Sequence, residues 1–341
     1  MIHGTSAPVE SVDWQTLLAT SITDVRALLQ RLELDTALLE PGLAACAEFP
    51  LRVPEPYLAR MQPGNLNDPL LRQVLPVGEE LQEQPGFVLD PLGEQHSNAR
   101  PGIIHKYHGR LLLIVSGGCA INCRYCFRRH FPYADNNLSS QEWEQALGYI
   151  RADNSISEVI YSGGDPLAAN DKRLHWLTRR IAEIPHVRRL RVHTRLPVVI
   201  PQRVTDSLLE ALCDTRLPVT MVLHCNHANE LDQALAGATS QLRGAGMLLL
   251  NQAVLLKGVN DQLEDQIALS EHLADNGILP YYLHILDHVR GAGHFHIDDQ
   301  QAKELVGRML ARLPGFLVPK LVREVAGRAS KVPLPIELLE D

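Results

Sequence analysis

A chain of 341 residues, 45% hydrophobic and 21% charged, has the length and composition of a globular protein with one large domain and an extension. Its 32 Lys and Arg against 40 Asp and Glu give a net charge of −8, which argues against nucleic-acid binding, because that function needs a concentrated basic face. No apolar run is long enough to span a bilayer, and the first residues lack the pattern of a secretory signal, so we expect a cytoplasmic protein without a membrane partner.

The N-terminal part begins with a helical pattern of apolar residues and continues with a proline-rich segment. Apolar residues recur at helical spacing over about 13–34, and residues 38–49 predict a second helical piece. Segment 50–102 contains several prolines and few periodic runs, so we expect it to wrap the main domain without a core of its own. We therefore assign residues 1–102 to an N-terminal helical and wrapping extension.

From residue 103 onward, short β-rich runs alternate with amphipathic helical segments. Six strand–helix units in succession predict a parallel sheet with right-handed crossovers, and six are too few for a closed eight-stranded barrel. The predicted fold is therefore α/β, an open partial (β/α)6 barrel over residues 103–335 with a short tail at 336–341. The predicted strands lie near 110–116, 158–162, 189–194, 219–224, 247–256 and 279–286, and the predicted helices near 141–152, 171–184, 205–214, 230–244, 262–275 and 299–313.

Three cysteines, Cys119, Cys123 and Cys126, lie in the loop that follows the first predicted strand. Three thiolates in one short loop can hold three irons of a [4Fe-4S] cluster, whereas a closed electron-transfer cluster usually takes four. The fourth iron would then be open to another ligand. A structural zinc site is the alternative, but zinc prefers four ligands in paired loops, and no second Cys-x-x-Cys lies downstream.

The loops at the carboxyl ends of the strands build the site in such barrels, and the other polar residues of interest lie at these ends. Paired glycines have no Cβ atoms, so their N–H and C=O groups could approach a ligand closely, although a tight turn without a ligand gives the same pattern. The residues are Gly163, Gly164 and Asp165 after the second predicted strand, His224 after the fourth, Gln252 in the fifth and Asp287 after the sixth.

Lys331 follows a small glycine-containing loop that would leave its amine accessible. A lysine can form a Schiff base with an aldehyde cofactor, and pyridoxal 5′-phosphate (PLP) is the usual one, although an exposed lysine without a function fits the same pattern. Lys106 and Arg110, beside the first predicted strand, are candidate contacts of the PLP phosphate, or else part of a basic loop open to solvent.

Three further charged residues are candidates for binding a substrate. Arg128, just after the last cysteine, could hold a carboxylate in bidentate fashion. Asp287 and Glu324 are expected at the same mouth and could hold a cationic substrate tail. The alternative is that both carboxylates pair with arginines of the protein itself.

The order of these motifs resembles that of the lysine 2,3-aminomutase family, whose members are radical S-adenosylmethionine (SAM) enzymes that also use PLP. The Cys-x-x-x-Cys-x-x-Cys spacing, with Tyr125 before the last cysteine, is similar to the radical SAM signature, and the resemblance extends over roughly residues 85–335. The matching blocks include HKYHGRLLL, CAINCRYCFRR, SGGDPL, TRLPVVIPQR, HCNHANE, NQAVLLKGVND, PYYLHILD and AGRASKVP.

The resemblance implies a radical SAM barrel with three cofactors. A [4Fe-4S] cluster would bind SAM at its open iron, and an electron from an external donor such as flavodoxin or ferredoxin would release a 5′-deoxyadenosyl radical. Lys331 would carry PLP, with Lys106 and Arg110 at its phosphate. The residues implied around SAM are Gly163, Gly164, Asp165, His224 and Gln252.

The resemblance also implies a substrate, L-lysine, and its conversion to (R)-β-lysine by migration of the amino group from C2 to C3. Arg128 would bind the α-carboxylate and Asp287 the ε-ammonium, with Glu324 standing where the family has an aspartate. The chain is similar to the short bacterial members, which implies a functional link to translation elongation factor P and its lysyl-transferring ligase.

Two other functions stay open from the sequence. A radical SAM enzyme could modify a protein side chain directly and consume SAM, with Lys331 merely structural. A non-catalytic iron–sulfur regulator could sense oxygen through its exposed cluster. Bound PLP would separate the aminomutase from both.

Overall fold

A nine-stranded sheet, whose strands follow one another in chain order, forms the centre of the computed structural model, which describes residues 12–98, 100–136 and 138–336. The strands are β1 (Ile103–Tyr107), β2 (Arg110–Ser116), β3 (Glu158–Gly163), β4 (Arg189–Thr194), β5 (Val219–Leu223), β6 (Leu248–Val254), β7 (Leu279–His284), β8 (Lys320–Arg323) and β9 (Val332–Pro333). The helices are α1 (Trp14–Ala19), α2 (Val25–Arg31), α3 (Leu39–Glu48), α4 (Glu55–Leu58), α5 (Pro69–Arg72), α6 (Glu94–Ser97), α7 (Ser140–Ala152), α8 (Asp171–Ala182), α9 (Leu196–Val199), α10 (Asp206–Cys213), α11 (Gln233–Gly244), α12 (Leu263–Asp275) and α13 (Asp299–Arg312).

Strands β2 to β8 are parallel, and the short strands β1 and β9 pair antiparallel with the two ends of this series. Helices α7, α8, α10, α11, α12 and α13 connect successive parallel strands, so six strand–helix units stand in a row before β8. Within the described residues β1 and β9 do not pair with each other, and the sheet is therefore open. The predicted α/β fold, a partial barrel, is confirmed.

The helices of the barrel begin at side-chain caps and bury one face. At the start of α7, the Ser139 hydroxyl accepts from the backbone N–H of Glu142, and the Glu142 carboxylate accepts from the backbone N–H of Ser139. This capping box satisfies two N–H groups that the helix leaves unpaired. The buried residues of α7 recur at the helical spacing that predicted it: Trp143, Ala146, Leu147 and Ile150.

The N-terminal helical prediction is correct in type but wrong in extent. Residues 14–31 form two helices, α1 and α2, because the segment between them leaves the helical path. Ile22 forms an antiparallel bridge with Val53, and the Asp24 carboxylate caps α2 by accepting from the N–H of Ala27. Asp24 is the sequence signal of this second start.

The extension shares its core with the barrel. Tyr57, Leu58, Leu70 and Leu71 are buried and belong to the same continuous apolar cluster as the strand residue Leu113. Burying these side chains in a shared core stabilises the extension against the barrel. No helix in the described part of the chain has the length and apolar character needed to cross a bilayer.

Two adjacent glycines let the end of β3 touch the cysteine loop, residues 117–128. Gly163 has a φ of +123°, a conformation that residues with a side chain rarely adopt. A Cβ on Gly163 would overlap the carbonyl oxygen of Ser116, and one on Gly164 would lie 2.6 Å from that of Gly118. Backbone packing against the end of β2 and against the cysteine loop therefore requires the glycine pair, whatever ligand binds there.

Replacing Gly164 by Ala should destabilise the fold, because the new methyl group meets backbone atoms. We expect a loss of about 2 kcal/mol or more in the free energy of unfolding. The control is Gly237→Ala on the exposed face of α11, where a Cβ meets nothing within 4 Å and which should be neutral or stabilising by up to about 1 kcal/mol. Denaturant unfolding measures both; equal stability of the two variants would show that packing does not need Gly164.

Candidate active site

A cavity of 740 Å³ occupies the interior of the open barrel. It runs from the loops at the carboxyl ends of the strands to Arg110, Glu158 and Arg189, the first residues of β2, β3 and β4. The structure brings every predicted site residue to the lining of this cavity. They are Lys106, Arg110, Cys119, Cys123, Cys126, Arg128, Gly163, Gly164, Asp165, His224, Gln252, Asp287, Glu324 and Lys331.

The cysteine loop is tied to the N-terminal extension by a buried ion pair. Arg124, between the second and third cysteines, is fully buried and donates two hydrogen bonds to the Glu80 carboxylate, at 2.8 and 2.7 Å. Arg129 donates to the same carboxylate at 2.8 Å. Removing one partner of a buried pair leaves a charge uncompensated, at a cost of about 3–5 kcal/mol. The position of the cysteine loop therefore depends on the extension.

All three cysteines of the motif line the cavity. Burial and then the charge of Cys126 raise the pKa of Cys119, while burial and then the charge of Cys123 raise the pKa of Cys126 to about 11. Such thiols stay protonated unless a cation compensates their charge. The described residues contain no group of three or more His, Cys, Asp or Glu side chains placed to bind one metal ion together. A [4Fe-4S] cluster spreads three thiolates over three irons, and the three thiols fit it with one iron open.

Tyr125, within the cysteine motif, connects the loop to the end of β5. Its hydroxyl forms a hydrogen bond with Nε2 of His224 at 2.8 Å and accepts one from the Asn226 amide at 2.7 Å. Burial and then the charge of Arg195 lower the pKa of His224 to about 3, so this ring is neutral. His224 and Gln252 are uncharged polar groups of the cavity wall that could hold SAM.

Asp165, predicted near SAM, is bonded within the protein. It is buried, and its carboxylate accepts four hydrogen bonds that join the ends of β3 and β4. This geometry gives Asp165 a role in holding the loops around the cysteines, which is compatible with a place beside SAM but leaves few lone pairs for it. The donors are the Thr194 hydroxyl and the backbone N–H groups of Leu167, Arg195 and Leu196, at 2.7 to 3.0 Å.

Five side chains of alternating charge form one chain of ion pairs along the cavity. Arg128 donates from Nε and Nη2 to the Glu94 carboxylate at 2.6 and 2.9 Å, and Lys106 bridges Glu94 and Glu324 at 3.1 and 3.0 Å. Lys331 completes the chain with a 2.7 Å bond from Nζ to Glu324. Burial opposes the charge of both glutamates, but their cationic neighbours lower the pKa of Glu94 and of Glu324, so both stay ionised.

This chain of ion pairs bears on the predicted roles of its members. Lys106, a predicted phosphate contact, already has two carboxylate partners. Arg110 lies over the Tyr107 ring at 4.6 Å and has no carboxylate partner among the described residues, so it is the freer cation for an anion. Glu324, predicted to hold a substrate, bridges Lys106 and Lys331 and not the arginines that the sequence suggested.

Asp287 lies in the cavity without an ion pair or a side-chain hydrogen bond from the described residues. Burial and then the charge of Glu324 raise its pKa to about 7, although Lys331 acts in the opposite direction. The carboxyl group is therefore partly protonated at neutral pH. A cation bound beside it would favour the charged form.

Sequence reasoning misses Glu94 and Arg195. Glu94 lies in the proline-rich extension, whose texture gives no sign of a site, and only the structure shows that it bridges Arg128 and Lys106. Arg195 directly follows β4, so the rule that sites form at the carboxyl ends of strands could have found it. Its guanidinium donates to Sγ of Cys123 at 2.6 Å.

The radical SAM superfamily matches residues 113–265, which run from β2 through the cysteine loop into α12. Together with the open parallel sheet and the three cysteines that line one cavity, this match defines the chain as a radical SAM enzyme, a class that uses a [4Fe-4S] cluster and SAM. Among solved structures, that of Streptococcus suis SuiB has a TM-score of 0.47 and 17% identity, covering 64% of this chain and 50% of that chain.

Relatives that match nearly the whole chain show which family of radical SAM enzymes it belongs to. The chain is 50% identical to the L-lysine 2,3-aminomutase of Escherichia coli (strain K12), over 96% of this chain and 95% of that protein. It is also 50% identical to the Haemophilus influenzae protein of that name, over 94% and 95%, and 33% identical to that of Clostridium subterminale, over 94% and 77%. The chain belongs to the lysine 2,3-aminomutase family, an enzyme family, which argues against a non-catalytic regulator.

Serine at any one of the three motif cysteines should abolish SAM cleavage, because the cluster loses a ligand that no neighbouring group replaces. Iron content and SAM cleavage of anaerobically reconstituted Cys123→Ser protein measure the effect. The matched control is Cys213→Ser at the end of α10, which should keep both. Full iron content and cleavage in Cys123→Ser would contradict the assignment of the loop.

Proposed function

We propose that this chain is an L-lysine 2,3-aminomutase that moves the α-amino group of L-lysine to C3 and yields (R)-β-lysine. The observation that carries the proposal is the uncompensated carboxyl group of Asp287, which lines the same cavity as the cysteine thiols, the Lys331 amine and the Arg128 guanidinium. A substrate with a carboxylate at one end and an ammonium at the other matches these charges. The names of the relatives support the same substrate and reaction.

The cavity has groups suited to PLP as well as to SAM. Lys331 is partly exposed to the cavity and would carry PLP through its amine, and Arg110 would face the phosphate, with Lys106 close to the same strand end. When bound, the cluster and SAM would supply a hydrogen-abstracting radical, and PLP would supply a π system through which an amino group can migrate.

Arg128 would orient the substrate through its α-carboxylate. Burial opposes the charge of Arg128, but Glu94 outweighs it and raises the pKa, so the guanidinium stays charged. Its Nη1 donates to the Ser162 hydroxyl and to the carbonyl oxygen of Gly163, both at 3.2 Å, which fixes its direction. A substrate carboxylate would share this guanidinium with Glu94 or replace it. A fixed cation of this kind sets the position of the reacting C2–C3 bond.

Asp287 and Glu324 would hold the ε-ammonium of the substrate. Glu324 already bridges two lysines, but its charge also raises the Asp287 pKa, so an ammonium beside Asp287 would be attracted by both carboxylates. The ε-ammonium of L-lysine would in this way stabilise the charged form of Asp287, which is otherwise partly protonated. L-glutamate, with a carboxylate in place of the ammonium, would be repelled.

The product would be joined to a lysine of translation elongation factor P by a lysyl-transferring ligase, and flavodoxin or ferredoxin would supply the electron in the cytoplasm. The support is the motif order that the chain shares with short bacterial members of the family. Chiral chromatography of the product tests the stereochemistry. The mass of elongation factor P from cells with and without this chain tests the link, and identical masses would contradict it.

Lys331→Ala should lose PLP while retaining the cluster, since the two cofactors have separate anchors. The variant should keep its iron, lose the absorbance of bound PLP and form no β-lysine. Lys320→Ala, at the exposed start of β8, is the matched control. Borohydride trapping followed by peptide mass spectrometry identifies the modified lysine. PLP found on another lysine would move the role away from Lys331.

Lysine binding should weaken as the pH falls below about 7. Burial raises the pKa of Asp287 to about 7, and an ammonium favours the charged carboxylate, so below that pH the substrate has to displace a proton. The apparent affinity should fall by up to about tenfold per pH unit, and Asp287→Asn should abolish this dependence.

Asp287→Asn should also lower kcat/KM for L-lysine by more than about a hundredfold, because the charge that selects the substrate is lost. Cluster and PLP contents should not change, and Asp275→Asn at the exposed end of α12 is the control. Anaerobic assays with L-lysine, L-arginine and L-glutamate measure the preference. Wild-type preference for L-glutamate, or normal turnover of L-lysine by Asp287→Asn, would make the acidic pair structural.

A further inference from the structure

We propose that Arg195 is a positioning residue that sets the reduction potential of the cluster by donating a hydrogen bond to the sulfur of Cys123. Nη1 of Arg195 lies 2.6 Å from this Sγ atom. The inference rests on the cluster that membership of the radical SAM class implies. It concerns how readily that cluster accepts an electron, which is a separate property from the choice of substrate.

The guanidinium of Arg195 is held from several sides. Nη1 also donates to the Tyr125 hydroxyl at 2.5 Å, and Nη2 donates to Gln73, Tyr57 and Glu230, at 2.7, 3.1 and 3.1 Å. The residue is 7% exposed. Since its position is determined by these partners, the donor reaches the sulfur without first being ordered by a ligand.

Arg195 carries its charge in this buried position. An arginine side chain keeps its proton in proteins, and this one forms an ion pair with a buried carboxylate. The carboxylate in contact with Arg195 is that of Glu230, which binds Nη2. Nη1 therefore turns a charged donor toward the sulfur, while the countercharge lies at the other nitrogen.

A charged donor at a cluster sulfur favours the reduced cluster, because reduction adds one negative charge to the iron–sulfur core. The electron comes from the external donor, and the cluster passes from the 2+ to the 1+ state. Tyr57 and Gln73 belong to the N-terminal extension, so through Arg195 the extension also influences the redox chemistry. A merely structural arginine would leave the potential unchanged.

Arg195→Met removes the charge and the donors with little change in volume. In the reconstituted full chain without SAM, the midpoint potential should become more negative, so that the ratio of oxidised to reduced cluster at a fixed potential rises at least about tenfold, or 59 mV for one electron. Arg195→Lys should restore part of the shift. The control is Arg203→Met, since Arg203 is also buried but bonds the carbonyl oxygens of Leu167 and Ala169 and the Asp171 carboxylate. A loaded Arg195→Met protein with the wild-type potential would overturn the proposal.

A measurement on the wild-type protein decides the case if Arg195→Met fails to fold or to load its cluster. With arginine labelled by ¹⁵N in the guanidinium, pulsed EPR of the reduced cluster should show a ¹⁵N coupling transmitted through the hydrogen bond. Absence of this coupling would overturn the role of Arg195 and leave the cluster intact. A wild-type protein that binds no cluster would instead contradict the assignment of the three cysteines, and with it this inference.

Discussion

The shared carboxylate of Glu80 is the contact on which the site depends. It binds both Arg124 and Arg129, so one buried anion compensates a guanidinium group within the cysteine loop and another directly after it. Arg124 also donates to the carbonyl oxygen of Phe49 at 2.8 Å, which adds a neutral acceptor where a second anion is lacking. A loop of this length without such anchors would lose about 1–2 kcal/mol of conformational entropy per residue on binding a cluster. Here the loop already loses this conformational entropy when the extension folds against it, before a cluster binds.

The charged side chains of the cavity that lack an ion pair determine which ligands can bind. The net charge of the lining does not. Glu94 and Glu324 are each shared between two cations, and these four contacts pair two carboxylates with three cations of the lining. Arg110 and Asp287 are left with no ion pair among the described residues. A cavity of this kind is selective because a ligand must supply one anionic and one cationic group in the right places.

The barrel could be predicted because its elements carry strong local signals. Buried parallel strands such as β2 are short apolar runs, and a helix such as α7 has both a capping box and a periodic buried face. The cysteines and Lys331 could be placed because the carboxyl ends of parallel strands share one edge. The strands β1, β8 and β9 were not predicted, because they have only five, four and two residues, too few to show a period.

The sequence could not predict which acidic and basic side chains form ion pairs. Glu94 follows a proline-rich segment with no periodic texture, and nothing local tells that it meets Arg128. The expectation that Glu324 would pair with an arginine or stay free was reasonable from proximity along the chain, but the nearest cations in space are lysines from β1 and from the loop before β9. Which ions meet is decided by the approach of elements distant in sequence.

The same two lysines connect the two edges of the open sheet through one glutamate. Lys106 stands on β1 at one edge, Lys331 directly precedes β9 at the other, and Glu324 joins them where a closed barrel would have a ladder of backbone hydrogen bonds. Because side chains make these contacts, breaking them would not break any backbone hydrogen bond between strands. The contact between the two edges of the sheet therefore depends on the charges of three side chains and not on strand pairing.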